Sequence, residues 1–518
     1  MGEFDDLFNQ IVGKQSRDLE DAEKKVQLNE EIKALSLTED EYARFLKSRD
    51  AYRPTLCNLN LALDDTIVGE FKTRLSVCTS FVLAKIPVYV SGPSAGGKSV
   101  IMEACANCLM PSDALIIEGG SDKAIFDQQN EIKRAAYVII REINKVNPMM
   151  EEILKSWGEG KEYIYKRSGG ITGSLTPFTL PARPFMFSRA DESAAVNIIG
   201  AELMSRIVEI AVNGSQDQTK AVLNRQAVNV ENPFDVLQTD LVERANLRWH
   251  ISNMPDFDVF VNPAGQKLMN YIPTVFTTAR RDFPKYIKNC EGISRFFHKE
   301  RMTAVIQDKS VIFVTPQDMF LNHMIFGDNL IQSALRCSDL EKLMMQVVIK
   351  HGSLSKTQVQ TKLRSWSLNV TTRTVGTHLD HLADLGYLEV TKEGSTNHYS
   401  ASDFYKEFDI CPDFKEVVDH CKITMESVPH YEPFASEYAE RFCELGSAFH
   451  AVQYGIVKNH LMIMLCPGHR IFLKLRCFSK LKIIIFISLS SFSFLGKGIS
   501  FPSATSLSSS AMLCGLSR

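Results

Sequence analysis

The chain has 518 residues, of which 45% are apolar and 23% are charged, and its net charge is −3. This composition is typical of a folded protein with two to four domains. The twelve cysteines follow no disulfide framework, and the acidic start at Glu3, Asp5 and Asp6 does not fit a secretory signal. These features exclude a secreted, disulfide-bonded class, so we predict a cytoplasmic protein with buried thiols and no zinc.

The first 65 residues are predicted to form a helical segment. Residues 18–35 are rich in Glu, Lys and Leu, and Thr38-Glu-Asp-Glu41 has the spacing of a capping box. In a capping box the Thr and Glu side chains each satisfy a backbone N–H of the first helical turn. The pattern therefore predicts that a helix begins after Thr38.

A complete phosphate-binding loop follows the apolar run at residues 86–90 and precedes a helix-like stretch at residues 100–109. Glycines let consecutive backbone N–H groups point at phosphates, a lysine adds positive charge, and the hydroxyl after it can bind Mg²⁺. We predict ATP and Mg²⁺ as cofactors, with Ser99 as the metal ligand. The predicted nucleotide contacts are Gly92, Pro93, Ser94, Ala95, Gly96, Gly97, Lys98, Ser99 and Val100.

Five short apolar runs indicate a parallel sheet. They alternate with helical or polar segments, a pattern typical of a sheet covered on both faces, with ligands at the carboxyl ends of its strands. The phosphate loop lies at such an end. The runs are residues 88–91, 114–118, 136–140, 184–188 and 207–212.

The third run leads into Arg141-Glu142-Ile143-Asn144-Lys145. Hydrolysis of a nucleotide needs a carboxylate at the tip of a strand beside the phosphate loop, where it activates water. We predict Glu142 as the general base, the alternative being a solvated acid at a strand end. A GTPase is disfavoured because Asn144-Lys145-Val-Asn147 lacks the Asp of a guanine-reading motif.

Residues 162–180 contain two alternating runs around a glycine turn, which predicts a β-hairpin. The hairpin carries Lys161, Lys166 and Arg167, of which we predict Lys166 and Arg167 to bind DNA. The next strand ends at Ser188, a polar residue that we predict to contact both the attacking water and the γ-phosphate.

The order of phosphate loop, strand-end Glu, hairpin, polar strand end and Ser205-Arg206 resembles the AAA+ ATPases, and within them the minichromosome-maintenance-type helicases. The resemblance covers residues 71–326. It implies that Arg206 is an arginine finger that reaches the nucleotide of a neighbouring subunit. It also implies a lid at residues 288–295 and 314–318, in which Lys288 senses nucleotide, although Lys288 fits an ordinary surface lysine equally well.

One residue departs from this family pattern. Arg141 stands where the family usually has the Asp that holds Mg²⁺ through water. We expect metal binding to depend more on Ser99, on phosphate oxygens and on Glu142. Two interpretations follow: hydrolysis is slow, or the nearest relatives are other helicases that keep only the Glu.

Residues 339–408 resemble a winged-helix DNA-binding domain. Helices are predicted at residues 339–351, at 356–364 after a cap at Ser355, and at 371–385, followed by a hairpin wing at 388–399. Arg373, Thr374, Thr377, His378 and His381 are predicted to project from the third helix toward a major groove, with Lys392 and His398 near phosphates. Of these residues, we predict that Arg373, Thr377, His378 and Lys392 bind DNA. A winged helix used only for protein contacts is the alternative.

The last part of the chain differs in charge from the rest. Residues 445–518 contain eight basic and no acidic residues, whereas residues 1–444 contain 50 basic and 61 acidic residues, a net charge of −11. The apolar run at residues 483–489 is shorter than the roughly 20 residues of a membrane span. A peripheral anchor is one interpretation. We favour a low-complexity terminus from a frame shift or read-through, and we assign neither a function nor a membrane association to it.

Together these patterns predict an α/β fold: a P-loop AAA+ core with a parallel five-stranded sheet and a helical lid, followed by an α+β winged-helix domain. The predicted segments are a helical amino-terminal segment (1–65), the ATPase core (66–235), the lid (236–335), the winged helix (339–410), a helical extension (411–455) and a tail expected to be disordered (456–518).

Three function classes remain. We favour a homo-oligomeric, ring-forming, ATP-driven DNA motor, most like a replicative helicase and expected to be hexameric. An ATP-controlled DNA-binding regulator with weak hydrolysis is the second class, favoured by Arg141 and by the acidic body, which is poorly suited to engulfing DNA. A protein-remodelling ATPase is the third, because Tyr163-Ile164-Tyr165 resembles an aromatic-apolar pore loop.

Overall fold

The structure is a computed structural model with two compact units, of which the first holds nearly all residues up to 450 and the second residues 451–518. It describes residues 23, 25–33, 35, 37–56, 59, 67–93, 95–118, 125, 127–141, 143, 148–167, 176–189, 201–232, 240–272, 279–335, 339–365, 368, 370–402, 413–443, 462–466, 470–476 and 482–488.

The predicted capping box at Thr38 is confirmed. The Thr38 hydroxyl accepts from the Glu41 N–H, and the Glu41 carboxylate accepts from the Thr38 N–H at 2.9 Å, at the start of α1 (Glu39–Ser48). Phe45 of α1 packs edge-on against Trp249, whose ring also lies 4.4 Å from the Arg49 guanidinium. The amino-terminal segment therefore packs onto the region predicted as the lid.

The central sheet has five parallel strands in the order β2-β3-β6-β1-β7. Its strands are fully or largely apolar because helices cover both faces. Each predicted apolar run forms one strand, to within one or two residues: β1 (Val88–Ser91), β2 (Ala114–Ile117), β3 (Tyr137–Ile140), β6 (Phe185–Ser188) and β7 (Val208–Ala211).

Strand β6 lies between β3 and the phosphate loop that follows β1. Val88 of β1 pairs with Met186 of β6, and Ile139 of β3 pairs with the same residue. Two strand spacings, about 10 Å, therefore separate the ends of β3 and β1. We name the edge formed by the carboxyl ends of these strands the carboxyl edge, and the opposite one the amino edge.

Short helices and one hairpin connect the strands. The predicted hairpin is confirmed as two antiparallel strands, β4 (Tyr163–Arg167) and β5 (Thr176–Leu180), in which Tyr163 pairs with Leu180 and Arg167 with Thr176. The helices of this region are α2 (Phe71–Cys78), α3 (Lys98–Ala106), α4 (Gln129–Arg134), α5 (Pro148–Gly158), α6 (Ala201–Met204) and α7 (Gln216–Glu231). A π-helical turn, Thr79–Leu83, extends α2.

The region predicted as a helical lid contains its helices and also a three-stranded sheet, which the sequence did not indicate. The strand order is β8-β10-β9, with β8 (Val259–Val261) parallel to β10 (Lys309–Phe313), and β9 (Thr303–Ile306) antiparallel to it. The helices are α8 (Leu241–Ser252), α9 (Gly265–Met269), α10 (Ala279–Phe296) and α11 (Pro316–Leu335).

Helix α10 packs very closely against the chain that leads into β1. A Cβ atom on Gly292 would lie 2.8 Å from the Ala84 nitrogen and from the Leu83 carbonyl carbon, both backbone atoms. Three residues later, the Arg295 guanidinium donates to the Leu83 carbonyl at 3.2 Å. Glycine at position 292 is what allows these two backbones to meet.

The winged-helix segment follows the predicted pattern. Helices α12 (Asp339–His351), α13 (Lys356–Ser365) and α14 (Thr372–Asp384) enclose a core that includes Leu379 and Leu382. The wing is formed by β12 (Leu388–Glu393) and β13 (Thr396–Ala401), and the short β11 (Leu354–Ser355) pairs with β13.

The chain after the winged helix returns to the lid. Phe414, the first residue of α15 (Phe414–Ser427), packs edge-on against Phe320 of α11 at 4.9 Å. The Tyr438 hydroxyl, at the end of α16 (Glu432–Tyr438), donates to the Val314 carbonyl at 2.8 Å. The winged helix is therefore connected to the lid on both sides.

Within residues 456–518 the structure describes three antiparallel strands, β14 (Met462–Cys466), β15 (Arg470–Arg476) and β16 (Lys482–Ser488). They belong to the second compact unit.

Candidate functional site

The phosphate loop turns sharply because two of its glycines adopt left-handed backbone angles. Gly92 has φ +139° and Gly97 has φ +88°, regions that residues with a Cβ rarely adopt. A Cβ on Gly92 would also lie only 2.2 Å from Val212 at the end of β7. The loop leads directly into α3, whose first N–H groups can receive a phosphate.

Lys98 begins helix α3 and is largely buried, with 8% of its surface exposed. Its ammonium group donates to the carbonyls of Gly92 at 2.6 Å and Pro93 at 3.0 Å, so it lies across the concave side of the loop. Ser99 and Val100 follow in the first turn and are exposed, while Ser94 lies outside the described residues. These positions can present a cation, backbone N–H groups and one hydroxyl to a phosphate chain.

Arg141 is the residue at the end of β3. Its guanidinium forms an ion pair with Glu118, after β2, at 2.8 Å, and approaches Glu103 of α3 at 3.7 Å. The buried Ser188 hydroxyl donates to the Arg141 carbonyl, so it fixes the end of β3. Glu142, the predicted base, lies outside the described residues, and its role and that of Ser188 stay predictions.

The described residues around the loop do not form a carboxylate-bearing magnesium site. Mg²⁺ in such sites is held by one or two carboxylates together with phosphate oxygens. Glu103 of α3 and Glu118 after β2 both contact the Arg141 guanidinium, and the assignment of Ser99 as the metal ligand stays a prediction. Among the residues that the structure describes, no cluster of His, Cys, Asp or Glu side chains is arranged to hold a metal.

Arg206 lies at the amino edge, two residues before β7 begins. Its guanidinium contacts the carboxylates of Glu159 and Glu202, each at 2.7 Å. Glu202 also binds Lys155 at 3.2 Å, and hydrogen bonding to Lys155 and then Arg206 lowers the pKa of Glu202. Since the phosphate loop occupies the carboxyl edge, Arg206 and Lys98 of one copy lie at opposite edges of the sheet.

Helix α10 places Lys288 at the same amino edge. Lys285 of α10 donates to the carbonyl of Ile207, just before β7, at 3.0 Å, and Gly292 contacts the residues before β1. Lys288 lies between these two contacts and is exposed. The role of Lys288 as a nucleotide sensor, with an ordinary surface lysine as its alternative, stays a prediction.

Lys285 is a neighbouring cation that the sequence did not single out. Burial lowers its pKa, although Asp282 lies 3.1 Å away. Arg281, one turn earlier, donates to the Ser205 hydroxyl. The amino-terminal half of α10 thus holds the Ser205–Ile207 segment from both sides, a contact for which no sequence spacing gives a signal.

The hairpin β4-β5 carries Lys166 and Arg167 in the last two positions of β4. Their side chains are outside what the structure describes, so their proposed contacts with DNA stay predictions. Ile164 of the same strand is 53% exposed.

Fewer polar side chains of α14 point away from the core than the sequence predicts. His378 and His381 bring their Nδ1 atoms to 2.9 and 2.8 Å from the same carboxylate oxygen of the buried Glu341 on α12. The expectation that both histidines project away from the core is therefore corrected: they bind back to α12, because a buried carboxylate requires partners. Arg373 and Thr377 are exposed on α14, and Lys392 is exposed on the wing.

Arg189 is a further cation at the carboxyl edge that the sequence analysis did not predict as a site residue. Arg189 directly follows Ser188, is 4% exposed, and its Nε atom has no hydrogen-bond partner among the described residues. A lone arginine after an apolar strand carries no motif, and only the strand order brings it near the phosphate loop.

None of the helices within the described ranges combines the length and apolar character of a membrane span.

One family model matches the winged-helix segment. Residues 337–407 match a family model described as penicillinase repressor. No curated protein gives a significant sequence match.

Three solved structures are similar at low identity. A candidate ATPase from Cytophaga hutchinsonii is 12% identical, with 60% of this chain and 89% of that chain covered and a TM-score of 0.31. ORC1 from Aeropyrum pernix in complex with DNA is 11% identical, with 72% and 96% covered and a TM-score of 0.22. Cdc6p from Pyrobaculum aerophilum is 9% identical, with 70% and 97% covered and a TM-score of 0.19.

The predicted fold class is confirmed. The chain has an α/β P-loop core with a five-stranded parallel sheet, followed by an α+β winged-helix domain.

Proposed function

We propose that this chain is an AAA+ ATPase that acts on DNA as a homo-oligomeric ring, most like a replicative helicase. The observation that carries the proposal is the separation of its cations. Lys98 lies at the carboxyl edge, whereas Arg206 and Lys288 lie at the amino edge. Within one copy, Lys98 cannot contact the same nucleotide as Arg206 and Lys288. Two adjacent copies can share a nucleotide if the amino edge of one faces the carboxyl edge of the other.

In the proposed site, ATP binds the loop of one copy through the backbone N–H groups at the start of α3 and through Lys98. Glu142 of that copy would accept a proton from the attacking water. Arg206 of the adjacent copy would exchange Glu159 and Glu202 for the terminal phosphate and stabilise the charge that develops on it. A guanidinium forms stronger, bidentate hydrogen bonds with phosphate than with solvated carboxylates, which supports this exchange.

The DNA contacts in the proposal come from two elements. The β4-β5 hairpin carries Lys166 and Arg167. These two positive charges would bind the phosphate backbone of single-stranded DNA. Arg373 and Thr377 at the amino-terminal half of α14 would face a groove, because recognition helices read bases mainly with that half. Closure of the interface on ATP would then move the hairpin relative to the strand.

The test is complementation between two inactive variants. K98A cannot bind phosphate but keeps Arg206, and R206A keeps the loop but lacks the finger. When the two are co-expressed at equal levels, random assembly gives about one quarter of sites an intact loop facing an intact Arg206. We expect each variant alone to be nearly inactive and the mixture to recover about that fraction of ATPase activity stimulated by single-stranded DNA.

The matched control mixes K98A with the double variant K98A/R206A, in which no site is complete, and it should recover nothing. Full activity of R206A alone, or a mixture as inactive as its parts, would contradict a shared site. Equal ATPase rates with and without DNA would contradict the motor but not the shared site.

A second candidate is an ATP-controlled DNA-binding regulator. Two observations favour it: Arg141 stands at the strand tip near the loop, and the winged helix matches a repressor family. Sequence-selective DNA binding that depends on ATP, with turnover unaffected by E142Q, would support the regulator over the motor.

A further inference from the structure

Three strand ends at the carboxyl edge are followed by cations. Arg141 follows β3, Arg189 follows β6, and Lys98 ends the loop that follows β1. These three strands are neighbours in the sheet, so the three residues stand at adjacent strand ends of the carboxyl edge. Lys98 has a phosphate-binding role in the proposed function, whereas Arg141 has none.

The backbone of Arg141 is fixed on both sides. Its N–H donates to the Ile117 carbonyl at 3.1 Å, and its carbonyl accepts from the Ser188 hydroxyl. The side chain is half-buried, and its two terminal nitrogens face Glu118 and Glu103. The backbone at the strand end is thus hydrogen-bonded on both sides, whereas the guanidinium is paired with exposed carboxylates.

The contact with Glu103 locates that guanidinium relative to the nucleotide. Glu103 is four residues after Ser99 on α3, so the two side chains lie on one face of the helix, about 6 Å apart at their Cβ atoms. Ser99 stands in the first turn, next to the N–H groups that receive phosphate. The Arg141 guanidinium therefore lies about one helical turn from the phosphate-binding end of α3.

The present partners of Arg141 are weak competitors for it. Glu118 and Glu103 are well exposed, at 67% and 56%, and ion pairs with solvated carboxylates contribute little in water. A phosphate group offers a guanidinium a bidentate partner with more charge.

We propose, building on the function above, that Arg141 transfers from Glu118 and Glu103 to the terminal phosphate of ATP. There it supplies charge that Mg²⁺ would otherwise supply. The same feature explains why the described residues do not form a carboxylate-bearing magnesium site. Nucleotide binding by this chain is consequently weakly dependent on Mg²⁺ and selective for the triphosphate over the diphosphate.

Calorimetric titration of the full chain with ATP and ADP, in Mg²⁺ and in EDTA, tests this proposal. For the wild type we expect ATP affinities within about threefold of each other in the two conditions. R141Q should weaken ATP binding in EDTA about ten- to a hundredfold, the loss expected for a hydrogen bond to a charged group, and should leave ADP binding unchanged. E118Q, which removes the stronger competitor, should bind ATP as tightly as the wild type or more tightly.

Equal ATP affinity of R141Q and the wild type in EDTA would overturn the proposal and leave the ATPase assignment intact, as would a wild type that binds ATP only with Mg²⁺. Loss of both ATP and ADP binding by R141Q, with R141K equally defective, would show a structural role for Arg141 and also overturn it. Absence of any nucleotide binding by the wild type would overturn both the proposal and the function on which it rests.

Discussion

Replacing Gly292 by alanine tests how α10 is held against the amino edge. The new Cβ would lie 2.8 Å from the Ala84 nitrogen, 2.8 Å from the Leu83 carbonyl carbon and 2.9 Å from the Ala84 Cα. All three are backbone atoms, so no side-chain rotation can relieve the contact, and the helix must move away by several tenths of an ångström.

Two opposing terms set the size of the effect. Alanine is favoured over glycine in a helix by about 1 kcal/mol. Overpacking of a tight contact costs about 1–3 kcal/mol, and the upper half of that range applies where backbone meets backbone. The clash therefore prevails, and G292A should reduce the free energy of unfolding by about 1–2 kcal/mol.

Equilibrium urea unfolding followed by circular dichroism measures this change. The matched control is G265A in α9, where a new Cβ meets no heavy atom within 4 Å, so stability should stay the same or rise slightly. Because α10 also holds the segment before β7 through Lys285, G292A should lower ATPase activity in parallel. A G292A protein as stable as G265A would refute the close approach of α10 to the chain before β1.

Three further variants test other parts of the structure. Burial lowers the pKa of His250 to about 4, so the unfolded chain, with a pKa near 6.5, binds its proton first as pH falls. Stability should therefore fall by about 2 kcal/mol between pH 7 and pH 5, and H250Q, which can still donate to the Phe296 carbonyl, should remove most of that slope. E341A should destabilise the winged helix by about 1–3 kcal/mol in urea unfolding because two imidazole N–H groups lose their acceptor, whereas E341Q, which keeps an oxygen there, should cost less. R373A should weaken DNA binding in a fluorescence titration by about 1–3 kcal/mol, and K415A, which removes an exposed charge outside the winged helix, should not.

The sequence predicted the strands of the central sheet well, because a strand covered on both faces must be apolar along its length. Tyr137–Ile140 and Phe185–Ser188, for instance, are four-residue strands that are fully buried. The three strands of the lid were not predicted. They have only three to five residues, and of the three only β9 alternates between exposed and partly buried positions. Their hairpin turns at Gln307 and Asp308, which take positive φ without a glycine. The usual Asn-Gly or Asp-Gly signal of such a turn is missing.

In the winged helix, periodicity predicted the helices but not the direction of every polar side chain. Leu379 and Leu382 belong to the buried stripe of α14, and Arg373, Thr374, Thr377, His378 and His381 were expected to project away from it. His378 and His381 depart from this expectation because Glu341, on another helix, is buried beside them. A partner from a distant part of the chain leaves no trace in the local pattern.

The order of strands in space is the piece of information on which the candidate site depends most, and it is not written in any motif. In the sequence, the residues after β1 and after β3 carry the predicted site. In the sheet, β6 lies between these two strands, so Ser188 and Arg189 stand closer to the phosphate loop than Arg141 does. The same topology sends Arg206 to the amino edge, where its charge is balanced by Glu159 and Glu202. If the site is shared, assembly has to displace those two carboxylates from Arg206, and this exchange makes a charged interface sensitive to salt. Raising the ionic strength should therefore weaken the interaction of Arg206 with its own carboxylates and with the neighbour's phosphate together, while the contacts of Lys98 within the loop change less because they are largely buried.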